Sequence, residues 1–158
     1  MSEKKIVSVI IPTFNSARYL EACLKSIKLQ TYKNTEVLVI DNCSNDRTSE
    51  ITRKFGYRLI SKKLNRSEAR NYGAKKASGE YLLFIDSDME LTEGVISNCI
   101  HKMDKTVMGV VIPEISVGDG FWSECKKIEK LLYQNSSFEA PRFFRQKDFI
   151  KVGGMILH

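Results

Sequence analysis

Four short runs along the chain are predicted to be β-strands, at residues 6–11, 36–40, 57–60 and 81–85. All except residues 57–60 are apolar enough to be buried on both faces. Runs of this length without a polar face are typical of strands in a sheet that is covered on both sides. We expect Pro12 to break the first strand, and polar residues follow the second and fourth.

Apolar residues recur at helical spacing between these runs. Leu20, Cys23, Leu24 and Ile27 fall at i, i+3, i+4 and i+7, which predicts a helix with one buried face. Three further helices are predicted: one containing Ile51 and Phe55, one opened by the capping pair Asn65 and Glu68 and ended after Ala77 by Gly79, and one capped by Thr92.

The regular alternation of strands and helices predicts the fold class. A fifth strand is expected at residues 107–112, ended by Pro113. Such an order favours an α/β fold, with a Rossmann-like, mainly parallel sheet and helices on both faces. The rhythm changes after Pro113: Trp122, Cys125, Ile128 and Leu132 predict a helix, and residues 143–145 a short strand.

Composition is that of a single globular domain. The chain has 158 residues, of which 42% are hydrophobic, and a chain of this size buries roughly 70% of its unfolded surface. No apolar stretch approaches the roughly 20 residues needed to span a bilayer, and the polar start leads directly into a strand. We therefore expect a soluble, cytoplasmic chain.

Charge and cysteines restrict the function classes. The formal charge of +6 is spread along the chain without a basic run that interleaves aromatic residues. A nucleic-acid surface is thus weakly supported, and an anionic substrate or a membrane surface suits the charge equally well. Cys23, Cys43, Cys99 and Cys125 lack the spacing of a zinc site. Cys23, Cys99 and Cys125 each fall on the apolar stripe of a predicted helix, and we interpret these three as core thiols.

Two carboxylates at the end of the fourth strand are the most informative candidate site. Asp86 and Asp88 flank Ser87 directly after residues 81–85. Oxygen ligands at fixed spacing suit a hard divalent cation on a diphosphate, although the same pattern also occurs in solvated turns. The second strand ends at Asp41, and ligands of open α/β sheets bind outside the carboxyl ends of strands. The sequence therefore predicts one crevice that gathers these strand ends.

An ordered set of motifs resembles the family 2 glycosyltransferases of GT-A fold. The motifs span nearly the whole chain, and their order and spacing are specific although each is weak alone. They are residues 7–15, residues 39–48, residues 69–73, residues 79–88, and residues 151–155 with the pair Gly153-Gly154. The resemblance implies one GT-A domain over residues 1–158, with a nucleotide-binding core at 1–113 and the start of an acceptor-side region at 114–158.

The resemblance also implies a function and a nucleotide site. The chain would transfer a sugar from a nucleotide-diphosphate sugar, with UDP favoured over GDP or dTDP, to a glycan, lipid or protein acceptor, with inversion. Pro12, Thr13 and Asn15 would line the base and ribose pocket. Asp41 would accept the imide N–H of uracil, although guanine also offers N–H groups to a carboxylate. The alternative for Asp41 is a turn or helix-capping aspartate.

Metal-binding and charged roles follow from the same resemblance. Asp88 would ligate Mg²⁺ or Mn²⁺ directly, and Asp86 would bind the ribose hydroxyls or reach the metal through water, with Ser87 between them. Arg70 would point at the nucleotide, and its alternative is a surface arginine paired with Glu68 or Glu80.

The chain departs from the family pattern in two places. Lys63 and Asn65 replace an asparagine and a glycine of many relatives, and asparagine tolerates positive φ well enough to keep that turn. Inverting members use a carboxylate general base beyond the glycine pair, whereas Glu139, Asp148 and His158 do not fill that role. We therefore expect the base to lie outside residues 1–158, in an acceptor-binding part removed by natural or introduced truncation. Peripheral association with the inner face of a membrane fits such a protein.

Three alternatives come from other classes. A noncatalytic nucleotide-sugar-binding module would keep Asp41, Asp86 and Asp88 without a base. A sugar-nucleotidyltransferase needs a glycine-rich phosphate loop after the first strand, and residues 12–16 contain no glycine. A receiver-like signalling domain has no use for the opening motif or for Arg70.

Overall fold

The computed structural model describes residues 5–115 and 140–155. Helices α1 to α5 are Ala17–Lys28, Thr48–Lys54, Arg66–Lys76, Val95–Lys102 and Gln146–Lys151. Strands β1 to β6 are Val7–Thr13, Thr35–Asp41, Arg58–Ser61, Tyr81–Phe84, Gly109–Val110 and Phe143–Arg145. The helix predicted around Trp122 and Cys125 lies outside the described residues.

Six strands of the described chain form one sheet in the order β3-β2-β1-β4-β6-β5. The first four pair in parallel, and β6 pairs antiparallel with both β4 and β5. The predicted mainly parallel α/β sheet is therefore confirmed. The strand expected at residues 107–112 is only two residues long and lies at the sheet edge, because β6 takes the place beside β4.

Helices cover both faces of the sheet, as predicted. Buried residues of α1, α2 and α4 pack with Val7, Val9 and Ile11 into one core. Ile10 points to the opposite face and packs with residues of α3 and α5. Alternate residues of β1 thus pack into two different cores, which explains why its sequence is apolar on both faces of the strand. Within the described residues, no helix is long and apolar enough to cross a membrane.

Helix α1 follows its predicted stripe, whereas α4 does not begin as predicted. Leu20, Cys23, Leu24 and Ile27 are all buried. The N-cap of α4 is Gly94, without a side-chain cap hydrogen bond, so the expectation that Thr92 caps this helix is wrong. The carbonyl of Thr92 instead accepts from the side-chain amide of Gln30 at 2.7 Å.

Helix α3 begins with the predicted capping box. The Asn65 side chain accepts from the Glu68 N–H, and the Glu68 carboxylate accepts from the Asn65 N–H. Asn65 itself is extended, with φ −72°, so the left-handed turn that we expected at this position is not needed. Gly73 lets the helix lie close to the sheet, because a Cβ there would be 2.5 Å from a methyl carbon of Ile10.

Pro12 and Gly79 were predicted to end a strand and a helix, and neither does so. Strand β1 continues through Pro12 to Thr13. Pairing with β4 already ends at Ile10, so the missing N–H of Pro12 leaves no gap in that ladder. Gly79 does not end α3, whose C-cap is Ala77. Its role is close approach to β1, because a Cβ there would be 2.6 Å from the Ser8 hydroxyl oxygen.

Candidate active site

The candidate site lies where the winding direction of the sheet switches. Strand β2 lies on one side of β1 and β4 on the other. The carboxyl ends of these strands carry Thr13, Asp41 and Asp86, and a crevice at such a switch point is where open α/β sheets bind ligands. We call Thr13, Asp41 and Ser44 the β1–β2 side of the crevice. We call Arg70, Asp86, Ser87, Asp88 and Arg142 the β4 side.

Asp41 is the centre of the β1–β2 side and is only 1% exposed. Its Oδ1 accepts from the hydroxyls of Thr13 at 2.9 Å and Ser44 at 2.5 Å, and its Oδ2 accepts from the Ser44 N–H at 2.9 Å. The turn role that we considered for Asp41 is thus present in the structure. These donors hold a buried carboxylate in one orientation at the ends of two strands.

Asn15 connects the loop after β1 to the loop after β2. Its N–H donates to the Ser44 hydroxyl at 2.8 Å, and its Oδ1 accepts from the Asn45 N–H at 3.0 Å. Asn15 and Cys43 have φ values of 47° and 55°. Left-handed backbone in two facing loops allows this exchange of hydrogen bonds, and it occupies the Asn15 side-chain oxygen.

Asp46 accepts hydrogen bonds from the first residues of two helices. Its Oδ1 accepts from the Thr48 N–H at 3.0 Å, and its Oδ2 from the Ala17 N–H at 2.9 Å. Burial acts to raise the pKa of Asp46. Hydrogen bonds from the Thr48 hydroxyl, the Ala17 N–H and the Thr48 N–H outweigh burial, so this pKa lies below its usual value.

Ser87 joins the two sides of the crevice. Its hydroxyl donates to the Ser16 hydroxyl at 2.9 Å, and the Ser16 N–H donates to the Thr48 hydroxyl at 2.9 Å. Ser16 directly precedes α1, and Thr48 is the first residue of α2. The ends of β1, β2 and β4 are therefore connected by side-chain hydrogen bonds.

Asp86 lies between two arginines on the β4 side. Arg70 Nη2 donates to Asp86 Oδ1 at 2.5 Å, and both terminal nitrogens of Arg142 lie 3.4 Å from Oδ2. The surface pairing that we considered for Arg70 is wrong, because Glu68 belongs to the capping box and Glu80 pairs with Lys5 at 2.9 Å. Arg70 points instead into the crevice.

Arg70 is not fully satisfied by the described residues. Its Nε is buried and has no hydrogen-bond partner among them, and its Nη1 has only a long contact of 3.8 Å to Met155 Sδ. A buried N–H without an acceptor costs about 1–3 kcal/mol. The β4 side therefore offers a buried donor to an acceptor that the described chain does not supply.

Asp88 differs from Asp86 because it is exposed and its carboxylate forms no hydrogen bond or ion pair with the described residues. Within residues 5–115 and 140–155, no three His, Cys, Asp or Glu side chains group closely enough to hold a metal ion. Asp88 is thus suited to bind one side of a hard cation, with the other positions left to ligand and water oxygens. Asp86 instead has its Oδ1 held by Arg70 at 2.5 Å and its Oδ2 approached by Arg142 at 3.4 Å.

Arg142 and Glu114 are site residues that the sequence did not reveal. Arg142 directly precedes β6, and its Nε bonds to Glu114 Oε1. The only sequence feature that could have pointed to Arg142 was the short strand predicted directly after it, at residues 143–145. That strand could not be placed beside β4 without knowing the sheet order.

The glycine pair lies against the helix that carries Arg70. Gly153 and Gly154 have φ values of 90° and 82°, and the Asn71 amide exchanges two hydrogen bonds with the backbone of Met155. A separate cavity of about 650 Å³ borders this contact on the α3–α5 face and is lined by Leu64, Glu68, Asn71, Tyr72, Lys75, Phe149, Ile150, Gly153, Gly154 and Met155. The cavity is not the strand-end crevice.

The residues considered as a general base are engaged by another side chain or lie outside the described residues. Asp148 pairs with Arg145 Nη1 at 2.6 Å, which fits a structural role. Glu139 and His158 lie outside the described residues.

The chain resembles known proteins over nearly its whole length. It matches the family model described as glycosyl transferase family 2 over residues 8–157. Glycosyltransferase GlyG of Streptococcus pneumoniae is 33% identical over 119 residues, which cover 71% of this chain and 39% of GlyG.

Two solved structures show the fold. TarS from S. aureus in complex with UDP has a TM-score of 0.66 at 24% identity, over 92% of this chain and 48% of that one. The mannosyltransferase PcManGT from Pyrobaculum calidifontis, in complex with GDP-Man and Mn²⁺, has a TM-score of 0.74 at 21% identity, over 98% of this chain and 48% of that one. The fold is therefore that of the GT-A glycosyltransferases. The chain spans less than half the length of these three proteins.

Proposed function

The chain belongs to glycosyl transferase family 2, and on that premise we propose that its strand-end crevice binds a nucleotide-diphosphate sugar, with UDP as the nucleotide. This proposal is supported by the side-chain hydrogen bonds that join the ends of β1, β2 and β4. Thr13 donates to Asp41 and Ser87 donates to Ser16, each at 2.9 Å. Similar proteins have been solved with UDP and with GDP-Man and Mn²⁺.

The β1–β2 side is proposed to bind the base and ribose. Asp41 Oδ2 accepts one hydrogen bond from protein, whereas Oδ1 accepts two, so Oδ2 retains the capacity to accept the imide N–H of uracil. Thr13 holds that carboxylate, and Pro12 and Asn15 shape the adjoining wall. Asn15 contributes through loop geometry, because its side-chain oxygen is engaged by Asn45.

The β4 side is proposed to bind the diphosphate and its metal. Asp88 would be the direct ligand of Mg²⁺ or Mn²⁺, and Asp86 would reach the metal through water because Arg70 holds one of its oxygens and Arg142 lies 3.4 Å from the other. When bound, the metal would offset negative charge on the leaving diphosphate. Arg70 would supply its unpartnered Nε to a ribose or phosphate oxygen.

The proposed reaction is glycosyl transfer with inversion. An acceptor hydroxyl oxygen attacks the anomeric carbon, the bond from that carbon to the diphosphate oxygen breaks, and the nucleoside diphosphate leaves. A carboxylate general base takes the hydroxyl proton. Asp148 is not proposed as that base, because it is paired with Arg145. Localisation in the cytoplasm, including at the inner face of a membrane, stays a prediction.

Ligand-dependent thermal stability tests the proposal. Melting temperatures are measured with UDP, GDP, dTDP and CDP, each with Mn²⁺ and with excess chelator. A ligand at 100 times its Kd stabilises the folded state by about 2.7 kcal/mol. We expect the largest shift with UDP and Mn²⁺ and a smaller one when the metal is chelated. Equal shifts with and without chelator would exclude the metal role, and no shift with any nucleotide would exclude the site.

Turnover separates the transferase from a noncatalytic binding module. A panel of UDP-sugars is incubated with the protein, and released UDP is measured with and without candidate glycan and lipid acceptors. Acceptor-dependent UDP release supports transfer. Tight UDP binding without release for any donor and acceptor pair, also after fusion of a relative's following segment with its general base, favours the binding module instead.

A further inference from the structure

Arg142 is the least expected residue of the crevice, and its backbone is firmly fixed. Its N–H donates to the Val110 carbonyl at 3.1 Å, and its carbonyl accepts from the Phe84 N–H at 2.9 Å. Phe84 is the last residue of β4, so these bonds place Arg142 beside the strand end that carries Asp86. A side chain starting from such a fixed position has a limited reach, and that reach covers the β4 side.

The guanidinium of Arg142 is anchored at one end and loosely held at the other. Nε bonds to Glu114, whereas Nη1 and Nη2 both lie 3.4 Å from a single oxygen of Asp86. Charge-assisted hydrogen bonds between nitrogen and oxygen are normally about 2.7–2.9 Å long. Arg70 has a tight contact of 2.5 Å to the other oxygen of the same carboxylate. Asp86 is thus held by Arg70 and only approached by Arg142.

Orientation and charge suit this free end for an anion. The Arg142 side chain is 19% exposed, so its terminal N–H groups are neither fully buried nor freely solvated. Arg70 and Arg142 carry two positive charges among the carboxylates of Asp86, Asp88 and Glu114, and the metal proposed at Asp88 would offset the remaining negative charge when the anion binds. A planar guanidinium presents two parallel N–H groups that match a phosphate, which a lysine ammonium cannot do.

We propose that Arg142 is a phosphate-binding residue that donates from Nη1 and Nη2 to the diphosphate of the nucleotide, with Glu114 as the positioning residue that aims its guanidinium. This inference rests on the nucleotide site proposed above. When the diphosphate binds, the long contacts to Asp86 give way to shorter ones with phosphate oxygen, while Arg70 keeps Asp86 in place. Arg142 thereby stabilises the negative charge on the leaving group.

Calorimetric titration with ligands that differ only in phosphate content tests the proposal. Uridine, UMP and UDP are titrated into the wild type and into R142Q, R142K and E114Q, all with Mn²⁺. We expect R142Q to weaken UDP about 10- to 100-fold, the scale of a hydrogen bond to a charged group, and to leave uridine unchanged. R142K should recover part of the UDP affinity, and E114Q should lose less than R142Q.

Arg145→Gln is the matched control. Arg145 is similarly buried and also pairs with a carboxylate, but its partner is Asp148, away from the crevice. This variant should leave the affinities for uridine, UMP and UDP unchanged, and circular dichroism checks that every variant is folded. If R142Q does not fold, R142K and E114Q carry the same comparison.

The outcomes separate the inference from the function on which it rests. Equal losses for uridine and UDP in R142Q would show that Arg142 only supports the structure around Asp86, and would overturn the inference. Unchanged UDP affinity in the folded Arg142 variants would overturn it as well. A wild type that binds none of the three ligands would instead overturn the proposed nucleotide site itself.

Discussion

The two sides of the crevice differ in how far the protein alone completes their hydrogen bonding. On the β1–β2 side, Asp41 is buried and receives three hydrogen bonds from Thr13 and Ser44. On the β4 side, Asp88 is exposed, Arg70 has a buried unpartnered Nε among the described residues, and Arg142 approaches Asp86 only at 3.4 Å. One side is preorganised by the fold, and the other has donors and acceptors left for a ligand.

A ligand would therefore contribute differently to the free energy on each side. Binding at a preorganised carboxylate requires little rearrangement, so affinity there depends on complementarity. On the β4 side, binding would also satisfy a donor that costs about 1–3 kcal/mol when left alone. We therefore expect mutations on the β4 side to act on ligand affinity and mutations on the β1–β2 side to act on affinity and folding together.

The largest effect is expected from Asp88→Asn. Loss of the proposed direct metal ligand should weaken UDP in Mn²⁺ by at least about 100-fold, since even outer-shell changes at metal sites reduce affinity 10- to 100-fold. The free energy of unfolding should not change, because Asp88 is exposed and makes no hydrogen bond with the described residues. Titration calorimetry and urea unfolding measure the two quantities.

Glu90→Gln is the control for Asp88→Asn, because Glu90 is another exposed carboxylate two residues along the chain. It should leave UDP affinity unchanged. An Asp88→Asn protein that binds UDP as the wild type does, in Mn²⁺, would place the metal elsewhere.

Asp41→Asn should give the next largest effect. It should lower both the affinity for UDP and the free energy of unfolding. A neutral amide replaces the anionic acceptor, so UDP affinity should fall by about 1.5–3 kcal/mol. Stability in urea should fall as well, because the Thr13 and Ser44 donors lose a charged partner. Asp46→Asn is the matched control in the same loop. It should lower stability slightly, because a neutral amide oxygen accepts the hydrogen bonds from Ala17 and Thr48 less strongly than a carboxylate does, and it should leave UDP affinity unchanged.

Thr13→Val isolates the preorganisation of the β1–β2 side. Valine keeps the shape of the side chain but removes one donor to Asp41, whose Oδ1 still accepts from Ser44. We expect the free energy of unfolding to fall by about 1 kcal/mol, with a similar or smaller effect on UDP affinity. A loss of affinity much larger than the loss of stability would mean that Thr13 contacts the ligand directly.

The smallest effect on the free energy of unfolding at neutral pH is expected from the thiol of Cys23, which lies next to Asp86. Cys23 Sγ lies 3.8 Å from the Asp86 carbonyl oxygen. Burial, followed by the nearby charges of Asp88, Glu90 and Asp86, raises the pKa of Cys23 to about 12, from an ordinary value of 9.0. The folded state therefore keeps a proton that the unfolded state releases. The free energy of unfolding should fall as pH rises from about 9 to 12 and be unaffected below that window.

Urea unfolding across this pH range measures the change in stability, and alkylation in a Cys125→Ser background checks the burial that causes it. At pH 8, iodoacetamide should modify exposed Cys43 in the native protein and reach Cys23 and Cys99 only after unfolding. Rapid labelling of Cys23 in the native protein would mean that solvent reaches this thiol beside the backbone of Asp86.

The sequence predicted local features well because local physics determines them. The α1 stripe from Leu20 to Ile27 and the capping box of Asn65 and Glu68 depend only on residues within a few turns. The strand-end positions of Asp41 and Asp86 follow from strand pattern and parallel winding.

Features that depend on distant neighbours were missed. Arg142 reaches Asp86 because β6 inserts between β4 and β5, and no local pattern encodes that strand order. The role of Gly79 is likewise set by its approach to Ser8, and the partner of Arg70 is 16 residues away on another element. For Gly79 and Arg70, the sequence pattern pointed to nearby residues, whereas the fold supplied distant ones.

The hydrogen bonds exchanged by Asn15, Ser44 and Asn45 also constrain how this protein can change over evolution or in the laboratory. Each loop supplies a donor or an acceptor that the other needs, at φ values that most side chains resist. An insertion or deletion in one loop would misalign its counterpart. The two loops are therefore expected to change together. A chimaera with a relative should exchange residues 14–16 and 42–46 in the same variant.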